Sequence, residues 1–186
     1  MRGEDPTMKK VVMYLPWKDG SFLSVAQAYV LGAAARTHKM EKSYFVKKKG
    51  QMLNDLQPGD RLYVLGHGHV KGMRNDKLPE TIMSFEDLVD ALKEESLPTD
   101  FDDIRLWVCQ AGDWEMGDFA WEFTKRIRET HKNATVTAYS GLMTLTAKGK
   151  KLGTKYEDRK KTIEGSKARE FRVTINDTDR FKNFFS

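Results

Sequence analysis

Short apolar runs alternate with amphipathic segments through most of this chain, and that alternation limits the folds it can adopt. The runs are rich in Val, Leu and aromatic residues, have turn residues at their ends, and lie at 10–15, 43–46, 61–66, 104–108 and 135–139. Such runs are typical of buried strands. The segments between them repeat apolar residues with the 3.6-residue period of a helix and lie at about 22–37, 85–95 and 115–131. Strands and helices in regular alternation predict a mainly parallel sheet with helices on both faces.

Other segments carry weaker patterns. Residues 50–56 predict a further short helix, whereas 70–83 lack a period and predict a surface loop. Beyond Ser140 the alternation stops, and 142–147 with 152–156 predict a hairpin or a mobile basic loop around Gly149, followed by a last strand at 171–175. The expected fold class is therefore α/β, a three-layer sandwich with a C-terminal hairpin and strand extension.

The helix at 85–95 has the clearest boundaries. Ser84 stands where an N-cap is expected, and Asp87 follows three residues later as a carboxylate variant of the capping box. Pro98 comes shortly after the last periodic residue. We therefore expect a helix that begins directly after Ser84.

Length and composition predict one folded domain. The chain has 186 residues, which suits a single domain spanning 1–186. Residues 1–8 are polar and predicted to be disordered, and 141–170 are predicted to be a basic, partly mobile segment. No apolar run approaches the ~20 residues of a membrane span. The first residues also lack the apolar core of a secretory signal, so we expect a protein that is cytoplasmic, or secreted without a signal peptide.

Charge and cysteine content exclude some functions. The net charge is +5, but acidic residues are interspersed with the basic ones, which favours a solvated surface over a nucleic-acid site. One cysteine cannot form an internal disulfide or a thiolate zinc cluster. The sequence also lacks a phosphate-binding loop and a dinucleotide fingerprint, so we expect no cofactor.

Two strand-like runs end in residues that carry chemistry. The run 61–66 ends at His67, and the run 104–108 ends at Cys109. If both strands lie in one parallel sheet, the two residues emerge at its carboxyl edge, where open α/β sheets bind ligands. A histidine can accept the thiol proton, and the N–H groups of Gly68 and Cys109 can hold a developing oxyanion. A helix that follows Cys109 would favour the thiolate through its dipole.

Plainer interpretations stay open. A lone cysteine at the end of a buried strand is commonly a small core residue, and a histidine in a Gly-rich loop is commonly a turn residue. His67 and His69 could bind a metal only with a third ligand, and the sequence near them offers none that is convincing, so we expect no metal site.

The two strand ends resemble those of a known family. The blocks LYVLGHG (62–68) and IRLWVCQAG (104–112) are similar to the His-Gly and Cys blocks of caspase-like cysteine peptidases, which include the autoprocessing domains of bacterial toxins. The resemblance implies a caspase-like sheet, a polypeptide substrate, His67 as general base or proton donor and Cys109 as the acylated nucleophile. It also implies that the Gly68 amide forms part of the oxyanion hole.

The match has departures and leaves roles open. Val108 stands where many members of the family have a small residue, and Trp107 stands where some Arg/Lys-specific members have an acid, so specificity does not transfer. Asp113 is a candidate for binding a basic P1 side chain, or it caps a helix. Ser140, after the fifth strand, is a further substrate-binding candidate. By analogy with the toxin domains, the basic segment 148–161 could be cleaved in cis or bind a small polyanionic activator.

Two rival functions remain at this stage. The same dyad could serve another thiol-dependent hydrolase, such as a deamidase. Alternatively, the chain could be a caspase-like binding module without turnover, whose lysine-rich surface holds an acidic partner. A bacterial effector or self-processing peptidase is the function that the resemblance favours.

Overall fold

The structure is a computed structural model with three helices and ten strands in its described part. It describes residues 9–18, 20–34, 40–46, 52–69, 71–75, 81–109, 111, 119–139, 142–145, 151–154 and 172–175. The helices are α1 (Gly20–Ala34), α2 (Phe85–Glu94) and α3 (Phe119–Arg128). The strands are β1 (Lys9–Leu15), β2 (Met40–Val46), β3 (Arg61–His69), β4 (Gly72–Arg74), β5 (Ile82–Met83), β6 (Asp103–Val108), β7 (Thr135–Tyr139), β8 (Leu142–Leu145), β9 (Lys151–Thr154) and β10 (Arg172–Ile175).

The central sheet is mostly parallel. Its strand order is β10-β7-β6-β3-β1-β2, and every neighbouring pair along that path is parallel except β10 with β7. Strands β8 and β9 form a separate antiparallel pair. These findings confirm the predicted mixed α/β fold with a mainly parallel sheet, a hairpin after Ser140 and a last strand near 171–175.

Both faces of the sheet are buried. Alternate residues of a strand point to opposite faces, so Leu62 and Val64 of β3 pack in a core layer with α2 and α3. Tyr63 and Leu65 pack in a second layer under α1. The apolar runs of the sequence are continuous because their strands are covered on both sides. None of the helices in the described ranges is long and apolar enough to cross a membrane.

Helix α2 begins as its sequence predicts. The Ser84 hydroxyl accepts a hydrogen bond from the Asp87 N–H at 3.2 Å, and an Asp87 carboxylate oxygen accepts one from the Ser84 N–H at 3.0 Å. This reciprocal pair satisfies donors that a helix start leaves without partners, which stabilises the start of α2 by about 1 kcal/mol. The capping box is therefore confirmed.

Two local predictions are wrong. Residues 52–55 form turns rather than a helix, because Pro58 and Gly59 end the segment after a single turn in which the Leu56 N–H donates to the Leu53 carbonyl. The predicted loop at 70–83 contains β4 and β5, which pair with each other, and β4 also pairs with the end of β3. Gly72 begins β4 with a φ of 148°, a conformation that favours glycine.

Some predicted segments fall outside the described residues. They include the polar N-terminus 1–8 and most of the basic segment 141–170. Within the second segment, the structure describes only β8 and β9.

Candidate active site

The carboxyl ends of β3 and β6 bring His67 and Cys109 to one place. The two strands are adjacent and parallel, with Leu65 paired to Trp107 and Gly66 paired to Val108. The pairing ends there, and His67 and Cys109 are the next residues along the two chains. Neighbouring strands lie about 4.8 Å apart, so the register brings the two backbones within side-chain reach of each other.

The side chain of His67 continues one face of the sheet. Leu65 and Trp107 both belong to the core layer under α1. His67 lies two positions after Leu65 within β3 and so continues that face, whereas Cys109 lies in the turn that follows β6. Both residues are half-buried, and Cys109 is a free cysteine.

The direction in which the chain adds strands to the sheet reverses at β1, next to β3. From β1 the chain goes to β2 on one side and then returns to β3 on the other side of β1. Such a switch opens a crevice outside the carboxyl ends of the two strands, and open α/β sheets bind their ligands there. The first turn of α1 borders the crevice, because α1 follows β1 directly.

The ring of His67 contacts that first turn. Its centroid lies 4.4 Å from the centroid of the Phe22 ring, at an interplanar angle of 56°. Its Nε2 atom lies 3.5 Å from Oγ of Ser21, at the outer limit of a hydrogen bond. Sequence analysis missed both partners. In the sequence, Phe22 fits the apolar stripe of a helix and Ser21 fits a turn. Only the position of α1 after β1 could have indicated that both residues lie beside His67.

Cys109 lies in a tight turn at the end of β6. The Ala111 N–H donates to the Val108 carbonyl at 3.2 Å, which closes a turn with Cys109 as its first central residue. The described part of α3 begins at Phe119, whose side chain lines a small cavity together with Cys109. The residues between Ala111 and α3 lie outside the described ranges.

That small cavity lies beside the Cys109 backbone. It has a volume of about 10 Å³ and is lined by Gly68, His69, Gly72 and Cys109 among others. This volume is close to the minimum that one water molecule requires. The cavity is therefore about large enough for a single water molecule.

Gly68 has a steric reason to be glycine. A β-carbon at this position would overlap the carbonyl oxygen of Cys109. In the structure, the room on that side is occupied by the Cys109 backbone, so the absent side chain lets the two strand ends approach each other.

The other described histidines have local contacts. Nδ1 of His69 accepts a hydrogen bond from the Lys71 N–H at 3.2 Å, which leaves the proton of a neutral ring on Nε2. His131 is buried, with Nε2 at 3.2 Å from the Leu97 carbonyl and Nδ1 at 2.9 Å from Oγ1 of Thr130. Within the described ranges, no three His, Cys, Asp or Glu side chains come together as metal ligands.

An ion-pair network fastens β3 to β6 at the opposite edge of the sheet. Oδ2 of Asp103 accepts from Nε of Arg61 at 2.7 Å, and Oδ1 accepts from Nε of Arg105 at 3.0 Å. Burial would raise the pKa of Asp103, but the hydrogen bonds from Arg105 and Arg61 outweigh it and hold the pKa below its usual range. The network stabilises the register of β3 and β6, whose last pair directly precedes His67 and Cys109.

Two candidate residues are not placed. Asp113 and Ser140 lie outside the described residues. The structure therefore places Gly68 against the Cys109 carbonyl, and adds Ser21 and Phe22 beside His67.

Comparison of the chain with known protein-family models and with curated proteins finds no match. Its function is therefore inferred from the strand ends and their surroundings.

Proposed function

We propose that this protein is a caspase-like cysteine endopeptidase that cleaves polypeptides with His67 and Cys109. The observation that carries the proposal is the register of β3 and β6, whose last pair, Gly66 with Val108, directly precedes His67 and Cys109 in the two chains. The mostly parallel sheet, the helices on both of its faces and the helix α2 between the two strands support the caspase-like assignment.

The acylation step needs only these residues. His67 accepts the thiol proton of Cys109, and the thiolate attacks the carbonyl carbon of the scissile peptide bond. A C–S bond forms, and the carbonyl oxygen takes the negative charge beside the N–H groups of Gly68 and Cys109. The C–N bond then breaks, and the proton on His67 goes to the leaving amine.

Water completes the cycle. His67 accepts a proton from a water molecule, whose oxygen attacks the thioester carbon. The C–S bond breaks, the acid product leaves, and the sulfur recovers its proton. Ser21 and Phe22 limit the rotation of the His67 ring, so the base is already oriented when a substrate binds.

A bacterial effector or self-processing role fits this chemistry. On this proposal the protein acts in a cytoplasm, either of its own cell or of one into which it is delivered. The basic residues of 148–161 then belong to a segment that is cut in cis or that binds a small polyanionic activator.

The first experiment is alkylation of Cys109 with iodoacetamide between pH 5 and pH 9. A free thiol has a pKa of about 8.5. A dyad predicts rapid alkylation well below that pH in the wild type, and loss of this reactivity in His67→Ala. His69→Ala is the matched control, because His69 lies on the same strand end and is expected to leave the low-pH reactivity intact.

Turnover is measured next on an unstructured protein such as casein. The wild type is expected to cleave it, while Cys109→Ala and His67→Ala lose at least about 1,000-fold in rate, since removing one member of a catalytic unit removes its whole contribution. A thiol that reacts only near its ordinary pKa, whether or not His67 is present, would contradict the proposal.

A further inference from the structure

His69 shares a cavity with Cys109. The cavity has a volume of about 10 Å³, and its lining includes His69, Gly68 and Cys109. This is about the space that one water molecule needs, so His69 and Cys109 border the same very small space. A second imidazole, which has no part in the proposed acylation step, therefore lies beside the proposed nucleophile.

The side chain of His69 lies on the same face of β3 as that of His67. One residue, Gly68, separates the two histidines within the strand, and side chains on a strand alternate between its faces. Both histidines are half-buried. The two rings therefore border one side of the strand end, His67 against the first turn of α1 and His69 against the turn that follows β3.

The turn after β3 determines which nitrogen of His69 is a donor. Nδ1 accepts a hydrogen bond from the Lys71 N–H at 3.2 Å, so this nitrogen carries no proton and Nε2 does. The same bond orients the ring, so the Nε2–H donor is already held in place before a substrate binds. Nε2 makes no hydrogen bond with any residue in the described part of the chain, so it can donate to a further acceptor.

A donor at this place has a use in the proposed reaction. Attack by the thiolate of Cys109 places a negative charge on the carbonyl oxygen of the substrate, and fixed N–H groups stabilise that charge. His67 has a different task, because it must accept a proton and return it. His69 cannot act as a second base, since Nδ1 already accepts the Lys71 N–H and Nε2 already carries a proton.

We propose that His69 is a further catalytic residue, whose Nε2–H donates a hydrogen bond to the oxyanion that forms when Cys109 attacks the substrate. This inference rests on the proposed function and adds a side-chain donor to the backbone donors of Gly68 and Cys109. The shared cavity and the oriented Nε2–H are the observations that carry it.

The test uses a probe that forms a tetrahedral centre at Cys109 without hydrolysis. The peptide aldehyde acetyl-leucyl-leucyl-norleucinal adds to a cysteine: the sulfur bonds to the aldehyde carbon, the C=O double bond becomes single, and the oxygen takes the thiol proton. The dissociation constant is measured on the full-length protein from protection of Cys109 against iodoacetamide. Because an oxyanion donor contributes strongly at such a centre, the affinity is expected to fall about 10-fold in His69→Ala.

Two further substitutions separate the donor of the ring from its acceptor. His69→Asn keeps a carbonyl oxygen close to the position of Nδ1, which can still accept the Lys71 N–H, but it has no donor at the position of Nε2. His69→Gln places an amide N–H close to the position of Nε2 and lacks the acceptor near the backbone. We expect His69→Gln to retain most of the aldehyde affinity and His69→Asn to lose as much as His69→Ala. A merely structural role in the turn predicts the opposite order.

Alkylation by iodoacetamide without the aldehyde is the matched control. This displacement at carbon develops no oxyanion, so the three His69 variants are expected to keep the pH profile of the wild type. The same reasoning makes His69→Ala the control in the test of the dyad. Circular dichroism and thermal melting establish that each variant is folded.

The outcomes separate this inference from the proposed function. Equal aldehyde affinity in folded wild type and His69→Ala, or no protection of the wild type by the aldehyde, would overturn the role of His69 whatever His67→Ala shows. If the affinity follows the Nε2 donor while Cys109 reacts only near its ordinary pKa, the donor role stands and the peptidase proposal fails. Loss of low-pH alkylation in His69→Ala would assign the base to His69 and overturn the donor role.

Discussion

Gly68 lies so close to the carbonyl oxygen of Cys109 that no β-carbon fits between them. The contact joins the end of β3 to the turn that follows β6. It keeps the two strand ends together beyond their last paired residues, Gly66 and Val108. The position of Cys109 therefore depends on a glycine in the neighbouring strand.

Gly68→Ala is expected to disturb the site more than the fold. The added methyl group must displace the Cys109 backbone, which we expect to reduce peptidase turnover at least about 100-fold and stability by about 1–3 kcal/mol. Gly66→Ala is the matched control. Its methyl group would overlap the flexible end of Met73, which can move aside more easily. Turnover and urea unfolding are measured for both variants. Equal losses of turnover in the two variants would contradict this prediction.

Ser21 is expected to act as a positioning residue for His67. Its hydroxyl lies 3.5 Å from Nε2 of the ring, and the residue is exposed, so Ser21→Ala is expected to leave stability within about 0.5 kcal/mol. We expect the alkylation rate of Cys109 at pH 6 to fall several-fold and its pH profile to shift. Ser21→Thr keeps the hydroxyl and is expected to restore the profile. An unchanged profile in Ser21→Ala would exclude the positioning role.

Asp103→Asn is expected to destabilise the protein at neutral pH. The folded-state pKa of Asp103 is held below its unfolded value of about 3.9, so its contribution is present above pH 4 and is lost as the pH falls through the folded value. The side chains of Asp103 and Arg105 are 24% and 12% exposed, so we expect a loss of about 1–3 kcal/mol at pH 7. Urea unfolding at pH 7 and pH 3 is expected to show that the loss is smaller at pH 3.

Asp55→Asn is the control for that comparison. Asp55 forms an ion pair with Lys10 but is 66% exposed, so its loss is expected to cost less than about 0.5 kcal/mol. An equal loss in both variants, or a loss in Asp103→Asn that does not change with pH, would contradict the role given to the β3–β6 network.

Tyr14→Phe is expected to be neutral or slightly stabilising. The hydroxyl of Tyr14 is buried without a hydrogen-bond partner. Removing it is expected to remove a desolvation cost of about 1 kcal/mol. Burial and the nearby Glu95 raise the pKa of Tyr14. Because the pKa of Tyr14 is higher in the folded than in the unfolded protein, the wild type loses stability as the pH rises above about 10, where the unfolded tyrosine ionises. The phenylalanine variant has no such loss, so it is expected to resist alkaline unfolding better. Melting temperatures at pH 8 and pH 11 test both statements.

The strands and helices followed from local patterns. Continuous apolar runs marked the parallel strands because both of their faces are covered, and Ser84 with Asp87 marked the start of α2 because a cap involves only neighbouring residues. The placement of His67 and Cys109 at one edge followed from the same patterns, since parallel strands share a carboxyl edge. By itself, the sequence therefore determined the fold class and the location of the candidate site.

The tertiary structure decided what surrounds that site. The contact of Ser21 and Phe22 with His67, the approach of Gly68 to the Cys109 carbonyl, and the cavity that His69 shares with Cys109 all join segments that are distant in sequence. No local period encodes such contacts, because each depends on where a loop returns against the sheet rather than on the preferences of its own residues. The composition and spacing of the chain identified the candidate residues His67 and Cys109, and only the packed fold determined which side chains surround them.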